Sequence, residues 1–298
     1  MNKKIGFFSV MLVLVLGGIF GPRYIMGLAQ DEIRISSNPW VGFTPFIYAQ
    51  QKGWFDGTPF RFVWQVDLTE NVRLFERGFT QGFTATQYEM LHAKNPSTLV
   101  PVFLIDRSDG ADVILSNQKI AQLSETTRPI QVYLERDSMQ SDLFNAFVRE
   151  YGLIDRKFVF INSAQKSMTE IKPADTPIIL LSYAPYASQL VENGFRPIAS
   201  SHTLKSFSVV DALFMNKRII DQDRNQFKTL KRIYERALDA LHKNPKEYYK
   251  TIQGYLEGQT FTQFMQSTQG IEWFVAPPPA RILTQLREQG INTNQLLP

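Results

Sequence analysis

Short apolar runs separated by stretches of helical spacing recur from residue 33 to the end of the chain, and this alternation constrains the fold more than any other feature. A strand covered on both faces reads as a continuous apolar run. The helix that follows it carries the chain back over the sheet, so the next strand lies parallel. Runs of the strand kind occupy 33–35, 60–64, 83–86 and 100–105, then 113–115, 130–134, 158–161 and 178–181, and finally 209–215. Between them, a helix is expected to start at Thr44 as N-cap with Pro45 at its first position and to end near Gly53. Others run through Val72, Leu74 and Phe75, over 88–94, and from Met139 to Gly152. One more opens at Pro185, and further helical stretches cover 246–256 and 281–289, with three prolines at 277–279 between them. Phe227, Leu230, Ile233, Tyr234, Ala237, Leu238 and Leu241 form one face of a long amphipathic helix. The predicted class is α/β, with mixed, mostly parallel sheets and flanking helices. No internal repeat is present.

The chain has 298 residues, a length that suits two α/β lobes better than one core. Its first thirty residues differ from the rest. Lys3 and Lys4 precede an apolar run over 5–20, and Gly27-Leu28-Ala29 supplies small residues, so 1–30 reads as a secretory signal peptide or, uncleaved, an N-terminal anchor. That segment carries Lys3, Lys4 and Arg23 and no acid. Without it, 29 of the 32 basic residues face 28 acidic ones, a balance that gives no basis for nucleic-acid binding.

Several chemistries are absent. With no cysteine, the chain has no lipoprotein anchor, zinc–thiolate site, iron–sulfur site or thiol nucleophile. His92, His202 and His242 lack metal-ligand spacing, so no metal and no cofactor are expected. Nucleotide fingerprints and the nucleophile-elbow pattern are missing too. Residues 221–225 begin like a calcium loop, but Gln226 stands where glycine is required and Arg232 where the closing glutamate belongs. The segment reads instead as the acidic start of the long helix.

Four stretches, taken together, resemble the type 2 periplasmic solute-binding proteins of the nitrate, sulfonate, taurine and pyrimidine-precursor group. They are Asn38-Pro39-Trp40-Val41-Gly42-Phe43-Thr44-Pro45 with its continuation to Gly53-Trp54-Phe55, then Leu74-Phe75-Glu76-Arg77-Gly78, then 106–114, and Ser182-Tyr183-Ala184-Pro185-Tyr186-Ala187-Ser188. The chain departs from the group at Ala184, where a glutamate is common, and at Thr84-Ala85-Thr86, where an acid is common. The resemblance implies a two-lobed fold, with lobe one at 31–107 plus 206–298 and lobe two at 108–205. It also implies a small molecule bound between the lobes by hinge closure, no catalysis, a periplasmic location, a monomer, and an ABC permease and ATPase as partners. The alternative role is a sensor reporting occupancy to a membrane receptor or kinase. A pyrimidine-synthase-like enzyme is disfavoured by the missing cysteines.

The candidate ligand-binding residues each carry a plainer reading. Trp40 and Phe43 offer stacking surfaces on a strand-to-helix loop, or cap the lobe core. Ser37 ends the first strand and either meets ligand or caps backbone. Thr86 lies where the group varies. Asp106 binds a ligand amine or ring N–H, or pairs with Arg107, or caps a turn. Ser138 is an N-cap that the resemblance also places near ligand. Tyr183 and Tyr186 form a candidate wall. Asp211 interrupts an apolar strand and needs a cationic partner or a ligand, a structural Arg or Lys being the safer reading. If Asp106 and Asp211 both face the cleft, a cationic or N–H-rich ligand fits better than nitrate or a sulfonate.

Overall fold

The computed structural model describes residues 32–184, 186–275 and 277–297, so the expected signal segment and Pro185 lie outside the described residues. The first part of the chain runs β1 (Ile33–Ser37), α1 (Thr44–Gln51), β2 (Phe60–Trp64), α2 (Leu68–Glu76), β3 (Gly82–Thr86), α3 (Gln87–His92) and β4 (Leu99–Ser108). The middle follows as β5 (Asp112–Ser116), α4 (Ile120–Glu125), β6 (Ile130–Leu134), α5 (Met139–Glu150), β7 (Phe158–Asn162), α6 (Gln165–Met168), β8 (Ile178–Tyr183), α7 (Tyr186–Glu192) and β9 (Arg196–Ser200). The last third is β10 (Val210–Asn216), α8 (Lys217–Gln222), α9 (Arg224–Lys243), α10 (Pro245–Ile252), α11 (Phe261–Gln269), β11 (Ile271–Trp273) and α12 (Ala280–Glu288).

Two sheets result, in the orders β11-β4-β10-β3-β1-β2 and β7-β6-β8-β5-β9. β1 pairs parallel with β2 and β3, and β6 pairs parallel with β7 and β8. The strands next to the crossings, β4, β5, β9, β10 and β11, all pair antiparallel. The sheets are therefore more evenly mixed than the strand–helix alternation predicts. A chain that leaves one sheet and later returns to it inserts its returning strand without a crossover helix.

Each sheet has its own apolar packing. Phe46, Phe60, Phe83, Phe103, Phe214, Phe227 and Tyr234 are fully buried around the first, and Val132, Leu143, Phe147 and Leu181 around the second. Each large side chain so buried contributes roughly 1.5–3 kcal/mol. The long helix presents the expected face, with Phe227, Leu230, Tyr234, Ala237, Leu238 and Leu241 buried. Asp223 caps it, accepting from the Asn225 and Gln226 amides at 3.1 and 3.2 Å. Asp223 thus serves the helix start, as expected, whereas Asp221 lies in the last turn of α8.

Other details differ from the sequence reading. Thr44 is not an N-cap acceptor. A single 3-10 turn, Val41–Phe43, leads into α1, and the Thr44 hydroxyl donates back to the Val41 carbonyl at 2.7 Å. β9 contains Pro197 and escaped detection, but it lies at a sheet edge, where a missing N–H is tolerated. β11 is only three residues long, and α4, α6, α8 and α11 were not anticipated.

The two crossings between sheets, near 108–112 and 200–210, are bonded to one another. The Ser108 amide donates to the Val209 carbonyl at 3.0 Å, the Ser108 and Ser201 hydroxyls lie 2.7 Å apart, and the Gly110 amide donates to the Ser201 hydroxyl at 2.9 Å. No described helix is long and apolar enough to cross a membrane.

Candidate functional site

The carboxyl ends of the parallel strands in both sheets face one crevice, the position at which open α/β sheets present ligand-binding loops. From the first sheet, Thr86 ends β3, and Asp211 on β10 stands opposite both Thr86 and Asp106 in register. Trp40 follows β1, and its ring meets Tyr183, the last residue of β8, edge-on with centroids 5.5 Å apart. Asn38, Trp40, Thr86 and Asp211 on one side and Asp112 and Tyr183 on the other enclose a cavity of about 10 Å³, with Leu68 and Val209 completing it. That is room for roughly one water molecule. The crevice is closed around it, since Trp40 and Tyr183 are 4% and 2% exposed. A larger depression of about 340 Å³, beside Arg136, Phe144 and Phe160, is open to solvent and shares no residue with this site.

Carboxyl groups dominate the site. Asp112 and Asp211 line the cavity, and Asp106, Glu89 and Glu135 stand directly behind its walls, all buried. Both Asp106 oxygens, Oδ2 of Asp112, Oδ2 of Asp211 and Nε1 of Trp40 are buried without a hydrogen-bond partner. The Asp106 carboxyl reaches over Gly42. A methyl group added there would meet Asp106 Oδ2 at 1.8 Å and Trp40 Nε1 at 2.8 Å, so only glycine leaves space for that carboxyl. Glu89 differs. It accepts from the Met139 amide at 2.6 Å, from the Thr86 amide at 3.1 Å and from the Thr86 hydroxyl, tying α3 of the first sheet to the start of α5 in the second. Glu135 accepts from the Gln165 amide at 3.3 Å and weakly from the Tyr183 hydroxyl at 3.5 Å.

Burial pushes the pKa of every one of these acids up, because the charged form loses its hydration. Asp112 rises to about 7, chiefly by burial, with the Ser108 hydroxyl pulling the other way and Glu89 adding repulsion. Asp211 rises well above the usual carboxylate range through burial and then the charge of Asp106 beside it, and Asp106 rises with it through burial. Glu89 rises less freely, because Thr86 and the Met139 amide stabilise its anion. Glu135 rises through burial and then the charge of Asp67.

The structure brings Trp40, Thr86, Tyr183 and Asp211 together at the cavity, with Asp106 behind them. It separates the rest. Phe43 is wholly buried in the first sheet's core, away from the cavity. The Ser37 hydroxyl is 2.7 Å from that of Thr84 and is spent there. Tyr186 packs behind Tyr183 with centroids 6.0 Å apart. Ser138 caps α5 by accepting from the Gln140 amide, and its hydroxyl donates to the Glu135 carbonyl at 2.8 Å. Among the described residues no Arg or Lys pairs with Asp211, and Arg107 binds Glu272 at 2.8 Å and Asp109 at 3.5 Å rather than Asp106. Sequence reasoning missed Asp112, Glu89 and Glu135. Glu89 had a signal, since Thr86-Gln87-Tyr88-Glu89 is a capping box and forms one here. Asp112 and Glu135 sit at strand ends, where an acid ordinarily reads as a turn residue.

No family model matches the chain, and no curated protein matches it in sequence. Solved structures do match in fold. The alkanesulfonate-binding protein SsuA from Xanthomonas axonopodis pv. citri, bound to MOPS, is 13% identical, with 88% of this chain and 92% of that one covered and a TM-score of 0.67. The ligand-binding component of an ABC-type import system from Staphylococcus aureus, with zinc bound, is 13% identical over 88% and 92% of the two chains, with a TM-score of 0.65. The desulfurization enzyme DSZB is 13% identical over 88% and 91%, with a TM-score of 0.63. Among the described residues, no group of three or more His, Asp or Glu side chains converges to hold a metal ion. At these identities the likeness concerns fold, and the chain has the type 2 periplasmic binding protein fold, which import, sulfonate-binding and desulfurization proteins share.

Proposed function

We propose that this chain is the solute-binding component of an ABC-type importer, exported to the periplasm, which holds a small molecule in the crevice between its sheets and does no chemistry on it. One observation carries the reading. Side chains from both sheets, Trp40, Thr86 and Asp211 against Asp112 and Tyr183, enclose a single cavity whose buried polar atoms lack partners inside the protein. Unpartnered buried polar groups are costly, and a molecule that binds between the sheets would satisfy them.

The lobes would be 31–107 plus 206–298 and 108–205. The paired crossings at Ser108, Gly110, Ser201 and Val209 would act as the hinge. The cavity is too small for a solute as it stands, so entry requires the lobes to part. The membrane permease and its ATPase would be the partners, as they are for import systems of this fold. A thiol-dependent reaction is closed to a chain without cysteine.

Thermal melting against a panel of small solutes tests the reading. A ligand at about a hundred times its Kd adds about 2.7 kcal/mol, which raises Tm by several degrees. The rise should vanish in Trp40→Ala and Tyr183→Ala. A shift that survives both substitutions would move binding elsewhere and sink the proposal.

A further inference from the structure

The charge of the crevice narrows what can occupy it, an inference that rests on the solute-binding reading above. Asp106, Asp112, Asp211, Glu89 and Glu135 are all buried around one small cavity, and among the described residues no Lys, Arg or His lies within ion-pair distance of any of them. An anion entering there would meet two cavity-lining carboxyls from opposite sheets, with three more behind them. Burial favours the neutral form of each acid, so an entering anion meets no positive charge, whereas a cation is met by carboxyls that it helps to ionise.

A second observation, independent of the acids' number, points the same way. The start of α5 faces the crevice, and its backbone N–H groups would be a ready seat for a ligand's negative group. That seat is taken. The Met139 amide donates to Glu89 at 2.6 Å and the Gln140 amide to the Ser138 hydroxyl at 3.2 Å. The chain has filled its own anion position with a carboxylate from the other sheet. What remains free in the cavity is the opposite kind of group, namely the buried, unpartnered Oδ2 atoms of Asp211 and Asp112, both of them acceptors when ionised. The unpartnered indole N–H of Trp40 lies beside the Asp106 carboxyl over Gly42, where it suits that carboxyl. The faces of Trp40 and Tyr183 are surfaces that attract cations. The carboxyls do not converge as three or more ligands on one point, so a dispersed set of N–H donors matches them and a bare metal ion does not.

We propose that the crevice takes a small organic cation bearing N–H donors, an amine, an amidine or a protonated nitrogen heterocycle, bridged between Asp211 of one sheet and Asp112 of the other, with Trp40 and Tyr183 as its walls. Because the two carboxyls come from different sheets, the cation itself draws the crevice shut. Asp106 stands directly behind Asp211, and Glu89 keeps the competing anion seat filled.

Calorimetric titration tests this with two sets of probes. One holds methylammonium, putrescine, agmatine and 4-aminopyridine, and the other holds nitrate, ethanesulfonate and MOPS. At least one cation should bind, and Asp211→Asn and Asp112→Asn should each weaken it by about thirty-fold or more, the loss expected when one partner of a buried charge pair is removed. Both variants should melt cooperatively, at or above the parent's Tm, which separates lost binding from lost folding. Binding of ethanesulfonate or nitrate with silence from all four cations overturns the charge inference and leaves solute binding standing. Silence from both sets overturns both. A cation that binds equally well to the parent and both variants overturns the site.

Discussion

On the outer surface Arg107 pairs with Glu272, Lys52 with Glu247 and Lys231 with Glu235, each pair partly exposed, whereas in the crevice five acids are buried with no cation paired to them among the described residues. The outer pairs are made within the chain, sit in water, and are individually worth about 0–1 kcal/mol. The inner acids pay for burial with no paired cation to offset it, and only Glu89, with three hydrogen bonds, is well satisfied, while Glu135 has two long ones. The contrast separates charge that serves solubility and local geometry from charge held ready for something outside the chain. Burying a lone carboxylate is unfavourable enough that an isolated one becomes neutral instead.

The largest effect expected from this contrast is a pH dependence opposite to that of an ordinary surface. A carboxyl whose folded pKa is raised contributes stability that is complete below its unfolded pKa and is lost as pH rises through the folded value. For Asp112 the window runs from about 4 to about 7, and the loss is on the order of 4 kcal/mol. Asp211 and Asp106 extend it to higher pH. Surface acids with lowered pKa, such as Glu150 and Glu247, act in the reverse sense below pH 4–5 and are too exposed to offset it. Urea midpoints of the ligand-free chain should therefore fall steadily between pH 4 and 8, and Asp112→Asn should flatten the lower part of that slope. A midpoint that stays level or climbs over this range would mean that the inner acids are compensated after all.

The alternation of strands and helices made the fold class legible, because burial on both faces leaves an unbroken apolar run that composition cannot disguise. The mixed pairing was less legible. Nothing in Val209-Val210-Asp211-Ala212 says whether the strand enters a sheet from the same end as its neighbours, since that depends on the return crossing. At the site, the loop aromatic Trp40 and the acid Asp211 inside an apolar strand were visible as local contradictions. For Asp211 the sequence leaves a structural Arg or Lys and a ligand both open, since periodicity carries no information about whether a distant partner is there. Phe43 and Ser37 lie within six residues of one another, beside Trp40, and the sequence offers no sign that both turn to the core while Trp40 turns to the crevice. Asp112 and Glu135 were hidden by position, because only the tertiary fold shows which turn acids a second sheet covers.

Glu89 sharpens the comparison from inside the crevice. It is as buried as the other acids, yet its carboxylate is satisfied by Met139 and Thr86. Neutralising Asp112 or Asp211 relieves an uncompensated group, whereas Glu89→Gln removes an acceptor and turns an amide N–H toward a backbone donor. The expected result is a loss of about 1–3 kcal/mol at pH 7, seen as a lower urea midpoint. If Glu89→Gln stabilised the chain as Asp112→Asn should, the hydrogen bonds to α5 would not be holding the two sheets together, and the filled anion seat would lose its meaning.

The smallest effect belongs to the outer surface. Arg107 adjoins Asp106 in sequence and is the cation that sequence reasoning offered to it, yet its guanidinium points away to Glu272 and Asp109. Arg107→Met keeps most of the side chain's apolar stem and removes only the charge. With Arg107 and Glu272 both partly exposed, the loss should be under about 1 kcal/mol and should shrink further in 1 M salt, where the Debye length is about 3 Å. The slope of stability against pH between 4 and 8 should not move, because Arg107 compensates none of the inner acids. A steeper slope in Arg107→Met would show its charge reaching Asp106 through the strand. The crevice would then be partly neutralised from within, and the need for an external cation would weaken in proportion.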